Sequence, residues 1–259
     1  MNFRYYEIPD DRELRVLESV VRLHTESADP VSSAAVARDL DHRWSSATIR
    51  NVFSDLERRG WLYRPHPSAG RVPTEAGYRA FVEGIVLPGR REGRGRHLLE
   101  SELEWGRGAL DEQLRGAMDL ISRLSHALGI SLLVLAPGAD EAEGCRLTGV
   151  EQLLEQPEFE DPGHLRGLIQ VMQEPGPLGD YLRGEVAGAE PLKVLIGSEN
   201  RLEILSPFSL VATRVEGEGR SALLGVLGPH RMEYPLVIDV LAGLGQLLEA
   251  GRDDPRRWS

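Results

Sequence analysis

The residues best suited to chemistry lie between Ser45 and Arg79, "SSATIRNVFSDLERRGWLYRPHPSAGRVPTEAGYR". Seven arginines from Arg43 to Arg79 oppose only Asp55, Glu57 and Glu75, a local charge of +4 in a chain of net charge -11. Residues 1–97 hold 16 Arg against 14 acids, whereas the remainder holds 14 Lys and Arg against 27 acids. A basic module on an acidic body fits a nucleic-acid binder whose larger part does something else, although a solvated charged surface would carry the same residues. Lys193 is the sole lysine, a usage that points to genome composition rather than to chemistry.

Other chemistries find less support. The seven histidines are scattered, with no His-x-x-x-His pair and no neighbouring cysteines, so neither a metal nor a cofactor is expected. One cysteine, Cys145, allows no intrachain disulfide. "LGPHRMEY" gathers His230, Arg231, Glu233 and Tyr234, yet Gly228 and Pro229 suit a strand-to-helix turn with Arg231 pairing locally with a carboxylate. "IGSEN" reads as a tight turn, since no Lys-Ser/Thr ending of a phosphate loop follows. No catalytic residues are assigned, and no enzyme is expected. No apolar run approaches the roughly 20 residues of a membrane span, and the N-terminus has no signal-peptide core, so the expected setting is the cytoplasm.

The elements that must position the arginines follow from periodicity and caps. Asp10 with Glu13 has capping-box spacing before a helix bearing Leu14, Leu17, Val21 and His24 on one face. "VSSAAVARDL" predicts a second, short helix capped by Ser32 or Ser33, with Ala35, Val36 and Leu40 inward. Ser45 or Ser46 caps a third helix with the stripe Ile49, Val52, Phe53 and Leu56, stopped by Gly60. "WLYR" and "RVP" form the edges of a small hairpin around "PHPSAG", and Thr74 caps a fourth helix with Tyr78, Phe81, Val82 and Ile85 inward. These are the parts of a winged helix-turn-helix, in which the third helix enters the major groove and the hairpin reaches backbone or minor groove.

With the stripe buried, Ala47, Asn51, Ser54 and Arg58 face the opposite way, flanked by Thr48 and Arg50. Small residues such as Ser45, Ser46 and Ala47 let the helix N-terminus approach phosphate. Arg50 and Asn51 suit guanine and adenine edges, and the wing adds His66, Ser68 and Arg71. Asp55 and Glu57 would be repelled by phosphate, so the C-terminal half of the helix should leave the groove. A helical hairpin used for protein contacts shares the same periodicity.

The expected organisation is a winged helix over residues 1–88, a basic linker over 89–97 and an α+β domain over 98–259. The last begins with a long helix carrying Leu110, Leu114, Met118, Ile121, Leu124 and Leu128, followed by the strand "ISLLVL" and the joint "APGADEAEG". Helices near 163–173 and 177–183, strands at "LKVLIG", "SLVATRV" and "ALLGVLG", and a final helix from about Tyr234 to Leu248 predict an antiparallel sheet covered by helices.

"ADPVSSAAVARDL", "SSATIRN..SDLE..G", "RPHPSAGRVPTEAGYRAFVEGIV", "KVLIGSEN" and "LGPHRMEY", in that order, resemble the signature blocks of the HrcA family of heat-inducible transcription repressors. The blocks cover about Asp29–Val86 and Leu147–Leu248. The resemblance implies a winged helix followed by a GAF-like domain, binding of an inverted-repeat operator in chaperone operons as a homodimer, and modulation by the chaperonin. Ser32, Phe53, Pro67, His230 and Glu233 depart from the family pattern. The chain is also shorter than the family norm. "APGADEAEG" stands where the family has the opening strands of its GAF-like domain and an inserted dimerisation domain, so part of the sheet is expected to be missing. Two apolar helical faces offer a dimer contact: Leu114, Met118, Ile121 and Leu128, or Leu241, Leu244 and Leu248. Two rivals remain, a winged-helix regulator binding a metabolite in its C-terminal half, and an enzyme with a DNA-targeting domain.

Overall fold

In the N-terminal part of the chain, side-chain caps set where the helices begin. A computed structural model describes residues 10–89, 93–103, 110–134, 146–186, 192–217 and 220–251. These fall into two units, Met1–Gly89 and Arg90–Ser259. In the first unit, Asp10 accepts from the Glu13 amide at 2.7 Å while Glu13 accepts from the Asp10 amide at 3.0 Å, closing the capping box of α1 (Asp11–Ser27). Ser32 caps α2 (Ser33–Asp39), Ser45 caps α3 (Ser46–Arg58) and Thr74 caps α4 (Glu75–Phe81), which runs into a π-helical turn, Val82–Val86. Between α3 and α4, β1 (Leu62–Tyr63) pairs antiparallel with β2 (Val72–Pro73). This is the winged helix-turn-helix.

Val16, Leu17, Val20 and Val21 of α1 meet a core completed by Val36, Ala37, Ile49, Val52, Phe53, Leu56, Tyr78, Phe81 and Val82. The α3 stripe is buried as expected. In α2 it is Val36 and Ala37 that are buried, while Ala35 and Leu40 are only half-covered. Buried His24 and Tyr78 join α1 to α4 through a 2.8 Å hydrogen bond. Gly77 is required by close approach, because a Cβ there would lie 2.0 Å from the Trp61 carbonyl oxygen.

The second unit contains α5 (Arg94–Glu102), α6 (Leu110–Ser125), β3 (Leu128–Val134), β4 (Arg146–Thr148), α7 (Val150–Leu154), α8 (Pro162–Gln173) and α9 (Pro175–Glu185). Then follow β5 (Leu192–Ile196), β6 (Ser209–Gly217), β7 (Arg220–Gly228) and α10 (Tyr234–Gly251). The five strands form one antiparallel sheet of order β4-β3-β7-β6-β5, the frame of a GAF-like α+β domain. Alternation along the strands serves two cores. Leu210, Ala212, Leu223 and Leu227 face Leu168, Val171, Leu178 and Leu182 of α8 and α9. On the other side, α10 packs on β6 and α6 on β3.

Two expectations change. First, α5 begins at Arg94, inside the stretch read as a linker. Its backbone lies against α10, where a Cβ on Gly95 would fall 1.7 Å from the Asp239 carbonyl oxygen and one on Gly243 2.3 Å from the Arg96 nitrogen. Second, the long apolar helix ends at Ser125: Leu124 is exposed and Leu128 begins β3. The described strands form one sheet from β4 to β5. "APGADEAEG" and Cys145 lie outside the described residues.

Candidate nucleic-acid interface

The N-terminal turn of α3 is built by Ser45, whose hydroxyl accepts from the Thr48 amide at 3.1 Å and lies 3.0 Å from the Thr48 hydroxyl. The amides of Ser46 and Ala47 precede the first intrahelical donor, the Ile49 amide that bonds the Ser45 carbonyl at 3.0 Å, so this end carries the partial positive charge of a helix N-terminus. Burial of Ile49, Val52, Phe53 and Leu56 turns Ala47, Arg50, Asn51, Ser54 and Arg58 outward, all exposed, with Ser46 and Thr48 half-covered beside them. Arg50 Nε donates to the Ser46 carbonyl at 3.1 Å, laying the side chain along the first turn. An exposed guanidinium, an amide and small hydroxyls on one helix face can approach base edges and phosphates together.

The C-terminal half of α3 is internally neutralised. Arg58 pairs with Asp55, and Glu57 with Arg71. Arg58 therefore stands at the surface but shares its charge with a carboxylate one turn away.

The wing presents His66 and Ser68, both exposed, in a turn closed by the Ala69 amide bonding the His66 carbonyl at 2.9 Å. Arg71 does not join them. It is only 5% exposed, with Nε 2.8 Å from Glu57 Oε1, Nη2 donating to Oε2 at 3.1 Å, and its guanidinium 5.5 Å from the centroid of the Phe53 ring. Its backbone exchanges two 2.8 Å hydrogen bonds with Val31. The expectation that Arg71 anchors DNA is thus corrected: the side chain is a clamp between wing and α3. Sequence reasoning passed over Arg64, exposed on the wing with Nη1 donating to the Pro67 carbonyl at 3.2 Å, and Arg43, exposed beside the Trp44 ring. Arg59 and Arg79, like Arg58 and Arg71, face carboxylates. Among the described residues Arg43, Arg50 and Arg64 make no ion pair, and exposure combined with a missing acidic neighbour was the available signal.

The other two motifs are structural. Arg231 pairs with Glu158 at 2.6 Å and with Gln156 at 2.7 Å, distant in sequence rather than local. Asn200 of "IGSEN" is buried and donates to the carbonyls of Gly197 and Phe208 at 3.0 Å, closing the strand turn. No described helix is long and apolar enough to cross a membrane.

Residues 93–238 match the family model described as the HrcA protein C terminal domain. The chain is 28% identical to the heat-inducible transcription repressor HrcA of Shouchella clausii over 331 positions, covering 91% of this chain and 96% of that protein. Since 91% of 259 residues is about 236, about 95 of those 331 positions have no counterpart here. The repressor of the same name from Symbiobacterium thermophilum is 27% identical over 92% of this chain and 97% of its own length. That from Gluconobacter oxydans is 40% identical over 130 residues, half of this chain and 36% of that protein. A crystal structure titled as a hypothetical protein at 2.2 Å resolution shares the fold, with a TM-score of 0.73 at 19% identity over 94% of this chain and 99% of that one.

Proposed function

The chain belongs to the HrcA family, and from that premise we propose that it is a DNA-binding transcription repressor of heat-shock genes, chaperone operons above all. It acts by occupying an inverted-repeat operator and is released on heat stress. The observation that carries this is the outward face of α3, where an N-capped, carboxylate-free first turn is followed by Arg50 and Asn51, both exposed to solvent. Arg50 and Asn51 read bases. Ser45, Ser46, Ala47 and Thr48 sit against phosphate at the helix N-terminus, with Arg58 at the rim, while His66, Ser68 and Arg64 of the wing hold the backbone.

An inverted repeat is two-fold symmetric, so two copies bind it, one per half-site. The acidic C-terminal half gains nothing from phosphate and is the part that answers to a chaperonin, which favours the binding-competent form by mass action. Occupancy alone represses; no catalytic step is involved, and the protein works in the cytoplasm. Recovering fragments of the source genome bound by the purified protein, then sequencing them, tests this. An inverted repeat upstream of chaperone genes is the expected result, and fragments without a shared sequence would refute operator recognition.

A further inference from the structure

The wing of the first unit is a slight structure. Its ladder holds two residue pairs, Leu62 with Pro73 and Tyr63 with Val72, and Pro73 has no amide to donate. A two-stranded hairpin of this size does not hold one direction by itself in water. Every residue from Tyr63 to Ser68 is exposed, so packing among the described residues does not direct the tip. The orientation of Arg64, His66 and Ser68 is therefore set at the base, and the buried residue nearest the tip on the returning strand is Arg71. Continuing the ladder register by one step brings Arg71 opposite Arg64.

Arg71 is held from three sides. Its backbone exchanges two 2.8 Å hydrogen bonds with Val31. Gly70 before it lies so close to the same loop that a Cβ would fall 2.4 Å from the Val31 carbonyl oxygen. The guanidinium stands 5.5 Å from the centroid of the Phe53 ring. Its Nε and Nη2 meet the two carboxylate oxygens of Glu57 at 2.8 and 3.1 Å, a forked pairing that fixes direction as well as distance. Phe53 and Glu57 both belong to α3, so the wing is fastened to the helix whose outer face is offered to DNA.

We propose that Glu57 is a positioning residue for DNA binding: through Arg71 it fixes the wing relative to α3, so that Arg64 reaches the backbone while Arg50 and Asn51 reach the bases. This rests on the reading that α3 and the wing bind DNA. A surface held in its bound arrangement beforehand loses less freedom on binding, and a hairpin this short has no other means of being held. Glu57 lies on α3 itself, yet Arg71 matches its charge and leaves the pair neutral. Coulomb attraction and repulsion alone predict the reverse: a carboxylate on a helix offered to DNA weakens binding, and its removal strengthens binding. The two effects have opposite sign.

Fluorescence anisotropy of the full chain on a labelled random-sequence duplex, at about 0.1 M salt, provides the test and reports backbone contacts without the operator. Circular dichroism and the unfolding midpoint establish that each variant is folded at the measuring temperature. Glu57→Ala should weaken binding roughly tenfold, the loss of one phosphate contact at that salt, although it removes a negative charge. Arg64→Ala should weaken wild type by a similar factor. In the Glu57→Ala background it should cost less than about twofold, because a wing without its clamp no longer presents Arg64. Glu57→Gln keeps the length and one acceptor toward Arg71, so its affinity should fall between the two, and it carries the comparison where Glu57→Ala does not fold. Tighter binding by either Glu57 variant, or an Arg64→Ala effect of full size in both backgrounds, overturns the positioning role and spares DNA binding by α3. A wild-type chain that Arg64→Ala leaves unchanged overturns the wing contact and the proposal with it. One that binds no duplex overturns the DNA-binding reading as well.

Discussion

Of the seven arginines that make residues 43–79 basic, four face carboxylates within the fold: Arg58, Arg59, Arg71 and Arg79. The positive charge of this stretch that meets no carboxylate among the described residues therefore lies on Arg43, Arg50 and Arg64. Arg64→Ala should weaken binding to operator and random DNA alike and reduce the salt slope by about 1, as loss of one phosphate contact does. Arg71→Ala should behave differently. It leaves Glu57 without its partner and opens a gap beside Phe53, costing about 1–3 kcal/mol of stability. Thermal unfolding of Arg71→Ala beside salt-dependent titrations of both variants separates the two roles. The exposure of Arg50 and Asn51 was legible because a helix's outer face follows from its buried stripe. Arg71 was not, because its burial depends on Glu57 and Val31, fourteen and forty residues away in sequence.

Elements whose signals are local were read closely. Asp10 with Glu13, Ser45 and Thr74 cap the helices the spacing predicts, and each bond joins residues three apart. Ser45→Ala should cost about 1 kcal/mol of stability by freeing the Thr48 amide, checked by denaturant unfolding. It should also loosen DNA binding, since the cap orients the first turn of α3. Elements made by distant partners were missed. The start of α5 looks like a linker because Gly and Arg dominate it, yet Gly95 is there to let α10 approach. Gly95→Ala should separate the two helices and destabilise the second unit by about 1–3 kcal/mol, as overpacking does, with the midpoint of that unit's unfolding as the readout. The three-residue strand β4 and the five-residue helix α7 are too short for periodicity to reveal.

For the whole molecule, sequence reasoning recovered a winged helix followed by an α+β domain. The described strands make a continuous five-stranded sheet with helices on both faces. Under the proposed function, release on heating comes from domain opening or from loss of a partner. An operator titration across a temperature ramp distinguishes these sources. Residues 1–89 alone should hold DNA at temperatures where the full chain releases it, and chaperonin should raise the release temperature of the full chain only. Coincident curves would place heat sensing in the winged helix.

Operator reading by the outward face of α3 is tested by comparing wild type with Arg50→Ala on operator and scrambled duplexes at one fixed salt concentration. Wild type should prefer the operator by at least about a thousandfold, the usual lower bound for specific binding. Arg50→Ala should lose about 1–3 kcal/mol on the operator and far less on the scrambled duplex, lowering the specificity ratio. Equal losses on both duplexes, or an unchanged ratio, would contradict base reading by α3.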